Sequence, residues 1–85
     1  MLEEIYNGKL PCAIFRELIE QDPALTNFRL SQIFRLEFIN VDGLAGQLIW
    51  HWKGPGKTQG MRDEVLNEEL LRMLKEAGYV EKDKF

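Results

Sequence analysis

Apolar residues recur along this chain at one, three and four positions, the spacing that puts side chains on one face of a helix. Pro11 suits a first helical turn, where its missing N–H is not needed. Ile14, Phe15, Leu18 and Ile19 then share one face, and Arg16, Glu17 and Glu20 take the other. Asp22-Pro23 ends the segment, because proline disfavours helical geometry in the residue before it. A first helix is predicted at about 11–21.

Thr26 and Asn27 are both good N-cap types. Leu30, Ile33, Phe34 and Phe38 follow as an apolar stripe that Leu36 broadens, with Arg29, Gln32 and Arg35 outside it. The second helix is predicted at about 27–38. Asn40-Val41-Asp42-Gly43 reads as a turn, with Asp42 available to cap what comes next.

In the third segment, about 43–52, Leu44, Leu48 and Trp52 fall on one stripe, with Ala45 and Ile49 beside it. Ile and Trp also favour strands, but the spacing of Leu44, Leu48 and Ile49 favours a helix. Gly46 weakens such a helix by about 1 kcal/mol relative to alanine, which points to close packing at that position.

Asp63 is expected to cap the last helix, about 63–77, whose core face is Val65, Leu66, Leu70, Met73, Leu74 and Ala77. Acids crowd its first half and Arg72 and Lys75 its second, an order that complements the helix dipole. Gly78 is a natural residue just past the helix end, with Tyr79 and Val80 folding back. Residues 81–85 read as a tail, and Leu2, Ile5 and Tyr6 as a short turn that closes the core. The expected fold is all-α: one domain over residues 1–80, a small bundle of four to five short helices in orthogonal or bundle-like packing.

Composition narrows the function. The chain has 85 residues, 45% of them hydrophobic, enough for one domain with a core. The single cysteine allows no intrachain disulfide. The N-terminus lacks the apolar stretch of a signal peptide and no run is long enough for a membrane span, so a cytoplasmic protein without membrane contact is expected.

The chain has one cysteine and one histidine, Cys12 and His51, where structural zinc wants four such ligands. Nucleophilic catalysis needs a nucleophile, a base and an orienting group, and nothing places these two together. Cys12 sits just inside a helix start, where a thiol pKa can fall, but a small buried apolar residue is the favoured reading. The carboxylates Asp63, Glu64, Glu68 and Glu69 read as a solvated helix face. A non-enzyme without metal or cofactor is expected.

The stretch HWKGPGKTQG, residues 51–60, has the Gly-Lys-Thr ending of a phosphate-binding loop. The motif requires glycine five positions before its Gly-Lys-Ser/Thr, and His51 stands there. A turn built on Gly54-Pro55-Gly56 explains the composition instead.

Two surfaces remain. Residues 43–62 hold no Asp or Glu, although the chain carries a net charge of -3, and they contain both tryptophans. On a helix Trp50 and Trp52 lie about 200° apart, so one ring faces the core and the other solvent or the loop. Alignment with Leu48 makes Trp52 the inner one, and the alternative has both rings packed, one of them beneath the loop. Trp50, Trp52, Lys53, Lys57 and Arg62 are therefore the candidate partner-binding residues, since exposed tryptophan beside cations is the composition of an interaction hot spot.

The other surface is on the helix–turn–helix of residues 11–38, where Arg29, Gln32 and Arg35 are groove-reading types that would face nucleic acid. The net charge and the carboxylates Glu17, Glu20 and Asp22 oppose that reading. A protein partner is the expected one, with nucleic acid the alternative and a homodimer a further candidate assembly.

Overall fold

A computed structural model describes residues 2–55 and 58–79, the side chains of Glu3 and Tyr6 excepted. A short 3-10 helix, Leu2–Asn7, leads into α1 (Pro11–Gln21), α2 (Asn27–Glu37), α3 (Leu44–Trp50) and α4 (Asp63–Glu76). The fold is a small all-α bundle, with no strand among the described residues. Helix α2 packs on α3, α1 packs on α4, α3 touches α4, and the 3-10 helix covers α1.

The helix ends explain why these segments start and stop where they do. Thr26 Oγ1 accepts a hydrogen bond from the Arg29 N–H at 3.1 Å, the local cap expected for α2. Asp42 Oδ1 accepts from the Leu44 N–H at 2.9 Å and opens α3. The other two caps come from afar. No side chain of its own caps α1; the Cys12 N–H donates instead to Asn67 Oδ1 of α4 at 2.8 Å. At the far end of α3, Asn27 Nδ2 donates to the carbonyls of Trp50 at 3.2 Å and Trp52 at 2.7 Å. Helix termini leave backbone groups without partners, and here asparagines from neighbouring helices supply them.

One expected cap and one expected helix end change. Asp63 does not cap α4, which has Arg62 in the cap position without a side-chain bond; the Asp63 carboxylate turns instead toward Arg16 and Trp52. Helix α3 ends at Trp50 rather than near residue 52, because the chain enters an isolated bridge between Trp52 and Met61. The Lys53 N–H donates to the Met61 carbonyl and the Met61 N–H to the His51 carbonyl, both at 2.8 Å. Gly60 makes the return possible: its φ is +135°, and a Cβ there would stand 2.7 Å from the His51 carbonyl oxygen. The turn expected at residues 54–56 includes Gly56, which lies outside the described residues together with Lys57.

The core gathers Leu2 and Ile5, Phe15 of α1, Phe34 of α2, Ile49 of α3 and Leu66, Leu70 and Leu74 of α4, all buried. Aromatic rings run through it as a row. Trp52 lies 5.6 Å from Phe15, Phe15 6.3 Å from Phe34, and Phe34 4.9 Å from Phe38. Tyr79 extends the row at 5.1 Å from Phe38. It reaches that place because Gly78, at φ +86°, reverses the chain and the Tyr79 N–H donates to the Leu74 carbonyl at 2.9 Å. The expected fold-back of Val80 and the expected tail at 81–85 lie outside the described residues.

Three assignments to the core face are corrected. Leu36, Leu44 and Val65 are exposed, while Leu71, which the spacing placed on no face, is buried. Leu36 is two residues from Phe34, about 160° away around the helix, so it faces outward when Phe34 faces in.

Candidate functional site

The outer face of α2 follows from the same rotation. With Leu30 and Phe34 inward, Phe28, Gln32 and Leu36 stack within an arc of about 80° on the opposite side of α2, and Ile39 follows just past the helix end. Phe28, Leu36 and Ile39 are 54%, 75% and 74% exposed. Arg35 borders this row on one side and Arg29 on the other, and Glu37 points away. A recess of about 430 Å³ opens here, lined by Arg29, Gln32, Arg35, Leu36 and Ile39, with Phe38 among its walls.

Helix α3 completes the face. Trp50 is 59% exposed, and its ring meets Phe28 edge to face at 6.1 Å. His51 stacks on the same Trp50 indole at 6.4 Å. The two helices come this close because α3 has glycine at position 46. A Cβ there would fall 2.8 Å from Arg35 Cδ, so the Arg35 stem lies across the missing side chain. The close packing expected at Gly46 has this as its cause.

The cations that the sequence grouped with the tryptophans separate. Lys53 and Arg62 line a second recess with Arg16, Pro55, Asp63 and Glu64, not the one beside α2. Lys57 lies outside the described residues. Trp52 leaves the candidate surface altogether. It is fully buried, because the bridge to Met61 draws its ring inward against Phe15. The residues Arg29, Gln32 and Arg35, grouped for nucleic acid, share one recess with Leu36 and Ile39, which the sequence reading placed in no site. The signal for Leu36 was the helical angle opposite Phe34.

At the inner edge of the second recess, three elements meet on one carboxylate. Arg16 Nε and a terminal guanidinium nitrogen donate to the two Asp63 oxygens at 2.8 and 2.9 Å. The Trp52 indole N–H donates to Asp63 Oδ1 at 2.9 Å, and the guanidinium sits 5.4 Å from the Trp52 ring centre. The Arg16 hydrogen bonds hold the Asp63 carboxyl below the ordinary carboxylate range, and the indole adds to them while partial burial works the other way.

A carboxylate with a depressed folded pKa stabilises the fold above its unfolded pKa, near 4, and loses that contribution as pH falls through the folded value. At pH 7 Asp63→Asn is expected to be less stable by about 1–2 kcal/mol, a figure held down by the solvent around Arg16. Urea unfolding at a series of pH values checks this: the gap between wild type and variant should narrow as pH falls below the unfolded carboxylate pKa near 4.

The same corner accounts for Cys12. Its thiol is buried and donates weakly to the Asp63 carbonyl, 3.7 Å away. Burial, and then the Asp63 charge, push the thiol pKa up to about 12, against a smaller pull from Arg16. Position near a helix start does not activate this cysteine, because the surroundings oppose its charged form.

Among the described residues, no three His, Cys, Asp or Glu side chains gather as a metal site, and no helix is long and apolar enough to cross a membrane. Comparison of the chain with protein-family models, with curated proteins and with solved structures finds no match.

Proposed function

We propose that this chain is a non-enzymatic protein-interaction module whose contact surface is the outer face of α2 together with Trp50. The observation that carries the reading is the clustering of Phe28, Leu36, Ile39 and Trp50. These are four of the seven large hydrophobic residues exposed among the described residues, and all four lie on or against one helix face. Scattered exposed apolar residues need no explanation, whereas a contiguous apolar patch rimmed by polar groups marks a surface that another molecule covers. The aromatic pair supplies large, rigid contact area of the kind that dominates binding energy. A protein is favoured over nucleic acid because Phe28, Leu36, Ile39 and Trp50 are apolar and the chain is acidic overall. The unpaired single cysteine fits a reducing compartment, and the cytoplasm is the proposed location.

Affinity capture from the source cell, with and without nuclease, tests this reading. The expected result is a protein that survives nuclease, is lost with Leu36→Ser/Trp50→Ser, and is kept by Lys53→Ala/Arg62→Ala. Loss with the second variant instead moves the contact to the other recess. Capture of nucleic acid through Arg29 and Arg35 overturns the reading.

A further inference from the structure

The interaction reading leaves open what the partner looks like, and the inference below rests on that reading. From the apolar row of α2 and its two bordering arginines, we infer that the partner segment is an acidic amphipathic helix, its apolar stripe laid along Phe28, Leu36 and Ile39 and its carboxylates meeting Arg29 and Arg35.

Shape is the first argument. From Phe28 to Leu36 the row runs about 12 Å, a little over two helical turns, and Ile39 continues it past the helix end. Leu36 and Ile39 at a recess of about 430 Å³, with Phe28 two turns earlier and Gln32 between, offer spaced apolar contacts of the kind an amphipathic helix lays into a groove.

Charge is the second. The recess beside the row holds two guanidinium groups and no carboxylate. Arg29 donates to Gln32 Oε1 at 3.3 Å. Neither Arg29 nor Arg35 forms an ion pair among the described residues, whereas Arg16 and Arg72 are both tied to acids. Two cations placed on either side of an apolar strip select a partner with acids flanking its apolar positions, and they repel one with lysines there.

The same charges argue against other occupants. Two copies meeting through this face would bring arginine against arginine. A phosphate backbone would need its charged groups seated over Leu36 and Ile39, which neither stack on bases nor donate hydrogen bonds.

The test uses the full chain and designed helical peptides of about four turns that share one leucine stripe, with flanking positions all Glu, all Lys or all Gln. Anisotropy of the labelled peptides reports binding, and an oligothymidine of similar length serves as the nucleic-acid probe. The expected order is Glu above Gln above Lys, with the Glu peptide favoured over Lys by about tenfold or more and weakened by added salt. Arg29→Ala, on the exposed side of α2, should narrow that preference, and Leu36→Ser should weaken all three peptides.

Equal binding of the Glu and Lys peptides, still lost in Leu36→Ser, overturns the charge inference and leaves the interaction face standing. Binding of no peptide, or of the Glu peptide equally by wild type and Leu36→Ser, overturns the inference. Tighter binding of oligothymidine than of the Glu peptide, or concentration-dependent self-association abolished by Leu36→Ser, overturns it in favour of nucleic acid or of a second copy. Failure of the interaction reading itself shows separately, as capture from cells that the Leu36→Ser/Trp50→Ser variant does not change.

Discussion

Replacing Trp52 with alanine is expected to cost this domain about 4 kcal/mol, the range seen for large aromatic truncations in cores. A domain of 85 residues holds a net stability of only about 4–13 kcal/mol, so the variant loses between about a third and all of it. The loss has two parts. The ring fills the space between Phe15 and the α4 side of the core, and deleting it leaves a cavity beside a residue that is itself fully buried. The indole also holds one oxygen of Asp63, and the alanine variant leaves that carboxylate to Arg16 alone. Trp52→Phe keeps most of the first part and loses the second, so it should remain folded at reduced stability. Trp50→Ala, two residues away on the surface, should shift stability by no more than about 0.5 kcal/mol. Urea midpoints of the three variants, followed by circular dichroism, decide the matter. Equal loss at positions 50 and 52 would contradict the burial described for Trp52.

Asn27→Asp is expected to destabilise the fold by about 3 kcal/mol, a large effect for a change of one amide to a carboxylate. Asn27 is buried at the start of α2, and its Nδ2 serves two carbonyls at the end of α3. Aspartate places an acceptor and a negative charge against those oxygens, at the negative end of a helix. Asn27→Ala, which only removes the donor, should cost less, about 1–3 kcal/mol. The ordering of the two variants is the informative outcome. If alanine were the worse of the two, packing volume rather than the cross-helix cap would be what holds α3 against α2.

The helices were legible because apolar spacing and breakers agree. Pro11, Asp22-Pro23 and Gly78 mark ends that local chemistry alone dictates, and α1, α2 and α4 fall within a residue of where that chemistry puts them. The division between Trp50 and Trp52 was legible only in part: a helical stripe through Leu48 reaches only one of them, but large aromatics are usually buried, and packing of both rings was an equally open reading that the exposure of Trp50 overturns. Less legible was the job of each polar residue at a helix end. Asp63 and Asn27 have the residue types and positions of N-caps, yet each serves another element, and no local pattern distinguishes a cap for one's own helix from a cap for a neighbour's. The exposed row on α2 was hidden for a related reason. Leu36 raises the apolar count of the segment, and only the angle fixed by Leu30 and Phe34 reveals that it faces outward, while Ile39 lies beyond the helix end where that angle no longer applies. The grouping of Trp50 with Lys53 and Arg62 failed because nearness in sequence was the only guide, and the bridge between Trp52 and Met61 turns the chain between them.

The bonds from Asn67 to the start of α1 and from Asp63 to Arg16 span 55 and 47 residues. A chain growing on the ribosome therefore exposes α1 long before its partner helix exists. Helices α2 and α3, neighbours in sequence, can pair while synthesis continues, since local contacts form first. The backbone N–H and the thiol of Cys12 have to wait for α4. The unfinished protein passes through a stage in which a sticky first helix is tethered to a finished hairpin of helices, and that interval, rather than the completed molecule, is where a chaperone or a wrong neighbour would find it.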